Sequence, residues 1–363
     1  MKQRPALYLP TDAEMLALRQ DVEQTITFDE HLLVRATGLG GWGGSDVRDA
    51  MYRIRGELGH PHISFLPELA NRGYYATVQG RTLATLEGLS ADITASGWRL
   101  TSGYAKESDL AATTLASDIN MLADAVGKET SPEGSIKVRI TGPLTLAAKT
   151  FLTSGEAVLH DYGARRDLRD SLLAGLKRLI AKLKEAAPGN SLILQFEEPL
   201  APAVLAGEVK TSSGYATIRA VPRHEAVETF ALLHAQVAEL GASTWVRGDI
   251  LALHPEIQEL ITRPVLNMGQ ARTRDWEPVA RLLEAGALPV FELVSPFAKK
   301  PVADLASTFW STWADLGLSK NLINRITLTE TAGLERIDPQ VATTVLHHLT
   351  ETARALSEIA YDA

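Results

Sequence analysis

The chain has 363 residues, 45% of them hydrophobic, and a formal net charge of −8 at pH 7, as expected for a globular protein of one large or two ordinary domains. It contains no cysteine, which excludes disulfides, thiol nucleophiles and thiolate metal ligands. The negative charge argues against nucleic acid as the main partner, because phosphate binding requires a basic face. Since no signal-peptide core and no apolar run long enough for a membrane helix is present, we predict a cytoplasmic protein without a membrane partner.

Eight short β-rich segments alternate with helical segments from about residue 30 to the end of the chain. The predicted strands are 32–38, 62–69, 136–143, 192–199, 242–249, 263–269, 288–296 and 323–331. Mostly apolar strands that alternate with helices are typical of a parallel sheet covered by helices, and eight strands close a (β/α)8 barrel, the TIM-barrel fold. A doubly wound open sheet is the alternative, but no GxGxxG motif follows the first strand to favour it.

Three of the helices have clear sequence signals. One begins after Tyr162-Gly163, carries leucines on one face and stops at Pro188-Gly189. A second covers 224–240 and ends at Gly241. The last begins at Asp338, an N-cap residue that is followed by proline.

No linker divides the chain. We therefore predict a single barrel domain over residues 31–363 and an N-terminal extension, residues 1–30, that packs on the barrel. Residues 70–135 are expected to hold more than one helix and some irregular structure.

Functional side chains of such a barrel lie at the carboxyl ends of the strands and in the loops that follow. The fourth predicted strand ends on two adjacent carboxylates, Glu197 and Glu198, which need a partner at a barrel rim. We predict a site for a small-molecule substrate, such as an amino acid, with Trp42 or Trp245 as an apolar wall. The candidate substrate-binding residues are Gly40, Gly41, Trp42, Ser45, Asp46, Glu68, Arg72, Glu197, Glu198, Trp245 and Arg247.

The same residue types also serve structural roles. Strand-end carboxylates cap helix N-termini or pair with a neighbouring arginine, and Arg247 could be such a partner. Glycines after a strand often only make its turn. His60 and His62 lie two residues apart, but they lack the carboxylate or thiolate support of a metal site.

Several segments resemble the short proteins related to cobalamin-independent methionine synthase. GLGGWGGSD resembles their GxGSWPGTD turn, LPELANRG their LPELPARG stretch, VRITGPLTLAAK their GPLTLA segment, and QFEEPLAPAVLAGEV their QxDEPxLPAVLAG motif. These matches run in order from about residue 34 to residue 226.

The resemblance places the chain in the methionine synthase and uroporphyrinogen decarboxylase superfamily. It implies a (β/α)8 barrel and methyl transfer to the thiol of homocysteine in methionine biosynthesis. The acids at positions 68 and 197–198 would hold the substrate's ammonium group.

The resemblance also implies a zinc site, from which this sequence departs. The family's ligands are a His-x-Cys at the end of the fifth strand, an acid after the next strand and a Cys after the last. Trp245, Arg247 and Ala332 occupy the His and Cys positions here. We therefore predict that no zinc or other cofactor is bound and that classical methyl transfer is absent or very low.

Three functions remain open at this point, and the sequence does not decide whether the protein is an enzyme. One is a methyltransferase that acts on a homocysteine-like thiol with a degenerate zinc site. The second is a non-catalytic or repurposed barrel that binds a small anionic or amino-acid ligand. The third is an enzyme of the decarboxylase branch, in which Arg72, Arg81 and Arg247 bind substrate carboxylates.

Overall fold

The computed structural model describes residues 34–130, 133–268, 276–298 and 300–363. Its strands in chain order are β1 (Arg35–Ala36), β2 (Ile63–Phe65), β3 (Ser90–Thr94), β4 (Gly97–Thr101), β5 (Ser135–Thr141), β6 (Thr150–Phe151), β7 (Ser191–Glu197), β8 (Ala242–Arg247), β9 (Pro264–Asn267), β10 (Val290–Val294) and β11 (Thr327–Glu330). The predicted extension, residues 1–30, lies outside the described residues.

Eight parallel strands form the barrel, in the spatial order β1, β2, β5, β7, β8, β9, β10 and β11. β11 pairs with β1, and a bridge between Thr37 and Ile63 joins the two ends of the sheet. Each of these strands overlaps one of the eight predicted segments. The predicted (β/α)8 fold is therefore confirmed.

Helices lie between the strands and cover the outside of the sheet. They are α1 (Val47–Glu57), α2 (Val78–Leu83), α3 (Lys106–Val126), α4 (Pro143–Lys149), α5 (Tyr162–Ala186), α6 (Ala201–Ala206), α7 (Arg223–Glu239), α8 (Pro255–Leu260), α9 (Glu277–Glu284), α10 (Val302–Asp315) and α11 (Pro339–Asp362). The three helices with clear sequence signals are observed as α5, α7 and α11. None of the described helices combines the length and the apolar character needed to span a membrane.

A small second sheet was not predicted. β3 and β4 form an antiparallel hairpin, and β6 adds to β4 in parallel. Only Ala91 and Trp98 of the hairpin strands are buried, so the apolar signal is too weak to mark two strands within the segment 70–135. The hairpin lies in the expected irregular region, 70–135, whereas β6 follows α4, and the sheet does not interrupt the barrel.

The interior of the barrel changes from apolar to charged toward the carboxyl ends of the strands. A buried apolar cluster fills the middle and consists of Leu39, Ile63, Ile193, Trp245, Val265 and Val290. The ammonium nitrogen of Lys137 lies 5.6 Å from the centre of the Trp245 ring. Since Lys137 and Arg139 are alternate residues of β5, both face the same side of the strand, with Arg139 closer to its carboxyl end.

His62 helps to close the barrel just before β2. Its Nδ1 accepts a hydrogen bond of 3.1 Å from the backbone N–H of Ala36 in β1. A ring nitrogen can accept only when it is unprotonated. Burial, together with the positive charge of Arg35, lowers the pKa of His62 to about 4.

We expect His62→Gln to reduce the acid sensitivity of folding. The folded-state pKa of His62 is about 4 against an ordinary value of 6.5. The unfolded chain therefore binds a proton at this histidine at a higher pH than the folded chain does. The free energy of unfolding is unaffected above pH 6.5 and falls by roughly 3 kcal/mol as the pH drops from 6.5 to about 4. Urea unfolding at several pH values should give a shallower decline for the variant, because glutamine takes up no proton in this range. The exposed His224→Gln is the control, and equal declines for His62→Gln and the wild type would contradict the expectation.

Candidate functional site

Glu197, the last residue of β7, lies among charged side chains at the carboxyl ends of the strands, which we call the barrel mouth. Its Oε1 accepts hydrogen bonds from Gln195 Nε2 at 2.7 Å and Arg139 Nε at 3.0 Å, and its Oε2 accepts from Arg247 Nη1 at 3.2 Å. The register places Arg247 of β8 directly beside it. Burial alone would raise the pKa of Glu197, but Arg139 and Arg247 hold it below its ordinary value. Glu197 is therefore an ionised group whose oxygens already have partners.

Lys137 fixes the orientation of this arrangement from inside the barrel. Its Nζ donates to the carbonyls of Gly38 at 2.6 Å and Leu39 at 3.1 Å, and to Gln195 Oε1 at 2.6 Å. Burial lowers the pKa of Lys137, yet three acceptors match the three N–H bonds of an ammonium group, which is the form that this geometry stabilises. Because an ammonium group only donates, the Gln195 oxygen faces Lys137 and its NH2 faces Glu197.

Three further carboxylates surround the two arginines. Arg139 Nη1 lies 3.3 Å from Glu68 Oε2 and 3.2 Å from Glu335 Oε1. Arg247 Nε donates to Glu292 Oε1 at 2.6 Å. We call these six residues the rim cluster: Glu68, Arg139, Glu197, Arg247, Glu292 and Glu335. Within the cluster, four carboxylates face two guanidinium groups, which is an excess of acid. Burial raises the pKa of Glu68 and Glu292, and the positive charges of Arg81 near Glu68 and Lys137 near Glu292, both outside the cluster, oppose these shifts.

The predicted glycines Gly40 and Gly41 lie against the rim cluster. A Cβ atom on Gly40 would collide with the side chain of Arg139, and one on Gly41 would collide with the carboxylate of Glu335. The loop is held by backbone hydrogen bonds in both directions with Glu68. These glycines therefore make room for charged side chains.

Glu198 has a structural role at the start of α4. Its carboxylate accepts from Leu144 N at 3.0 Å, Thr145 N at 2.8 Å and Thr145 Oγ1 at 2.7 Å. The first N–H groups of a helix lack intrahelical partners, and Glu198 supplies them. Burial raises its pKa to about 7, and these three donors oppose the shift. Gly142 is required here because a Cβ would meet this carboxylate.

Other predicted site residues lie away from the rim cluster. Trp42 is fully buried and packs near Phe65 at 6.5 Å between ring centres, and Trp245 lies in the apolar interior below Lys137, so neither forms the expected wall. Ser45 and Asp46 are exposed, and Asp46 caps α1.

The predicted arginine Arg72 is also occupied elsewhere. It makes two hydrogen bonds, of 2.8 and 2.7 Å, to the buried carboxylate of Asp118. Arg81 lies 3.5 Å from the same carboxylate and donates to the Pro67 carbonyl. Both arginines thus pair within the protein.

Five residues of the mouth were not among the candidate substrate-binding residues: Lys137, Arg139, Gln195, Glu292 and Glu335. One signal was present for the first two, because charged residues at alternate positions of an otherwise apolar strand point into a barrel. Glu335 follows the last strand in a loop, where the sequence gives no periodicity to use.

A cavity of about 380 Å³ adjoins the rim cluster. Arg247, Asp249 and Glu292 contribute its charged groups. The remaining lining residues are mostly apolar: Pro199, Gly248, Ile250, Leu251, Leu266, Asn267 and Met268. We call it the mouth cavity.

The side chains at the strand ends do not fit a zinc ion. Trp245 is enclosed in the apolar interior, and Arg247 is a cation paired with Glu197 and Glu292, which would repel a second cation. In the part of the chain that the structure describes, no three His, Asp or Glu side chains are grouped as a metal site. The absence of zinc itself stays a prediction.

Comparisons with known proteins bear on the fold. No protein-family model matches the chain, and no curated protein matches it. The chain is similar to the solved structure of a B12-independent methionine synthase from Shewanella sp. W3-18-1 in complex with selenomethionine. The two share 14% identity with a TM-score of 0.58, and the match covers 91% of this chain and 98% of that chain. The chain thus has a methionine-synthase-like (β/α)8 barrel fold.

We expect Glu198→Ala to lower the free energy of unfolding by about 3 kcal/mol, because two buried N–H groups of α4 lose their acceptor. Urea unfolding at pH 8 measures the loss. Glu185→Ala, an exposed carboxylate on α5, should change stability by less than about 0.5 kcal/mol. A Glu198→Ala value as small as that of the control would show that the cap contributes little.

We also expect purified protein that carries no His-tag to contain no stoichiometric zinc. The donor set at the strand ends explains this result, since structural and catalytic zinc sites use three or four Cys, His or carboxylate ligands. Elemental analysis, with an assay of homocysteine methylation, measures it. One zinc per chain, removed by a chelator with loss of methyl transfer, would refute the expectation.

Proposed function

We propose that the barrel mouth binds a small molecule with an amine and a short apolar side chain, such as methionine or homocysteine, without zinc-dependent methyl transfer. The acid excess of the rim cluster beside the mouth cavity carries this proposal. The protein would then share its fold with the methionine synthases but use the barrel to bind an amino acid.

The charge balance favours a cationic group on the ligand. The rim cluster places four carboxylates around two guanidinium groups, and Glu68, Glu197 and Glu292 are each at most 7% exposed in their side chains. Buried carboxylates are stable when a positive charge and hydrogen-bond donors accompany them. An ammonium group supplies both.

The mouth cavity favours an apolar remainder. Ile250, Leu251, Leu266 and Met268 line it, and its volume of about 380 Å³ is within the range of small-molecule sites. Arg247 also lines it, with 26% of its side chain exposed. The methionine synthase from Shewanella was solved with selenomethionine, an amino acid of this type, which supports the choice of probes.

The alternatives have less support. A thiol has an ordinary pKa of about 8.5, so only a few per cent is thiolate at neutral pH unless a metal or cation lowers that pKa. Arg247 already donates to two carboxylates, which neutralise its charge. The same pairing, with that of Arg72 to Asp118, disfavours a site that binds substrate carboxylates through several free arginines.

Isothermal titration calorimetry at pH 8 tests the proposal. L-methionine or L-homocysteine should bind, and N-acetyl-L-methionine, which lacks the ammonium group, should bind at least about tenfold more weakly, the loss expected for one charge-assisted interaction. Two results would contradict the proposal: no binding of either amino acid up to about 10 mM, or equal binding of the acetylated compound.

A further inference from the structure

Glu292 is the carboxylate of the rim cluster that faces the mouth cavity with an unpaired oxygen. Its Oε1 accepts from Arg247 Nε at 2.6 Å, whereas no donor among the described residues reaches its Oε2. The side chain is 2% exposed and lines the cavity. A buried carboxylate oxygen without a donor is unfavourable, so this atom is placed to receive a donor from a ligand.

The other carboxylates of the cluster are less suited to this contact. Both oxygens of Glu197 are used by three donors. Glu68 Oε2 also has no hydrogen-bond donor among the described residues, but it lies 3.3 Å from Arg139 Nη1 and Glu68 does not line the mouth cavity. Glu335 pairs with Arg139 and does not line the cavity either. Glu292, the acid of the rim cluster that lines the cavity, is thus not the strand-end acid Glu197 that the sequence predicted for this contact.

The backbone around Glu292 is shaped for this role. Glu292 lies beside Asn267 of β9 and Thr329 of β11, and the register of β10 against β11 shifts immediately after it. Such bulges occur next to functional sites, where they redirect a side chain. Leu266 and Met268 of the neighbouring segment provide an apolar surface in the same cavity.

We infer that Glu292 binds the amine of the ligand through Oε2 and that Glu197 instead holds the two arginines in position. This inference rests on the proposed function and names its specificity-determining group. The ligand class is a primary ammonium compound with a short apolar chain, whether or not it carries a carboxylate. Burial raises the pKa of Glu292 and the bond from Arg247 opposes this shift; an ammonium group at Oε2 would act in the same direction as Arg247 and stabilise the carboxylate.

The test uses the decarboxylated analogue of L-methionine, which keeps the amine and the apolar chain. We expect Glu292→Gln to bind it at least about tenfold more weakly than the wild type. Gln keeps an oxygen for Arg247 Nε, so the rim geometry is retained. Glu284→Gln, at an exposed carboxylate of α9 outside the cavity, should change the affinity by less than about twofold. Asp249→Asn removes the other carboxylate that lines the cavity and tests whether that acid, and not Glu292, binds the amine.

Each outcome decides the inference. Binding of the amine by the wild type with a loss in Glu292→Gln alone supports it. Wild-type binding with an unchanged Glu292→Gln, or with the loss in Asp249→Asn, overturns it and leaves the proposed function standing. A wild type that binds neither this amine nor L-methionine overturns both. If Glu292→Gln does not fold, Glu292→Asp replaces it. This variant withdraws the charge by one methylene, and an affinity within about twofold of the wild type would again overturn the inference.

Discussion

The mouth of this barrel depends on one buried carboxylate, that of Glu197. It receives donors from three adjacent positions of the sheet, Arg139 on β5, Gln195 on β7 and Arg247 on β8. Each arginine bonds a further acid, so the network extends from the loop after β2 to β10 and the loop after β11. Removal of one partner from such a buried pair typically costs about 3–5 kcal/mol. This is a large part of the free energy of unfolding of a domain, which is about 5–15 kcal/mol. Glu197 therefore positions the other charged groups of the mouth, and under the proposed function a ligand would contact the groups that remain without a partner.

The glycine-rich segments of the sequence follow from the same network. Gly40 and Gly41 allow the side chains of Arg139 and Glu335 to approach the loop after β1, and Gly142 allows Glu198 to cap α4. A side chain at any of these positions would displace a charged group from its partners. Glycine-rich motifs that resemble substrate-binding loops are thus also required for the packing of charged side chains. A comparison of motifs alone cannot distinguish this role from contact with a ligand.

The sequence predicted the eight barrel strands because each is an apolar run bounded by turn residues, and it predicted which strand ends meet because parallel strands share one edge. It did not separate Glu197 from Glu198. Adjacent residues of a strand point to opposite sides, so one carboxylate joins the rim cluster and the other caps a helix. Glu292 was also not among the candidate binding residues, because what distinguishes it is an oxygen that no donor among the described residues reaches. That property depends on neighbours from β8 and β9, which only the folded chain brings together.

The absence of cysteine and the pairing of Arg247 both bear on which positive charge the barrel mouth can hold. A zinc ion brings two positive charges but requires several ligands in a fixed tetrahedral array. A guanidinium group brings one charge, supplies its own donors in a planar fork and is satisfied by carboxylates, as Arg247 is by Glu197 and Glu292. The rim cluster itself has four acids for two arginines. If the proposed function holds, the selectivity of the site depends on where this excess of acid lies and on the apolar residues that line the mouth cavity. The position of Glu292 Oε2 next to that cavity is the feature that would connect the charge balance of the cluster to a ligand.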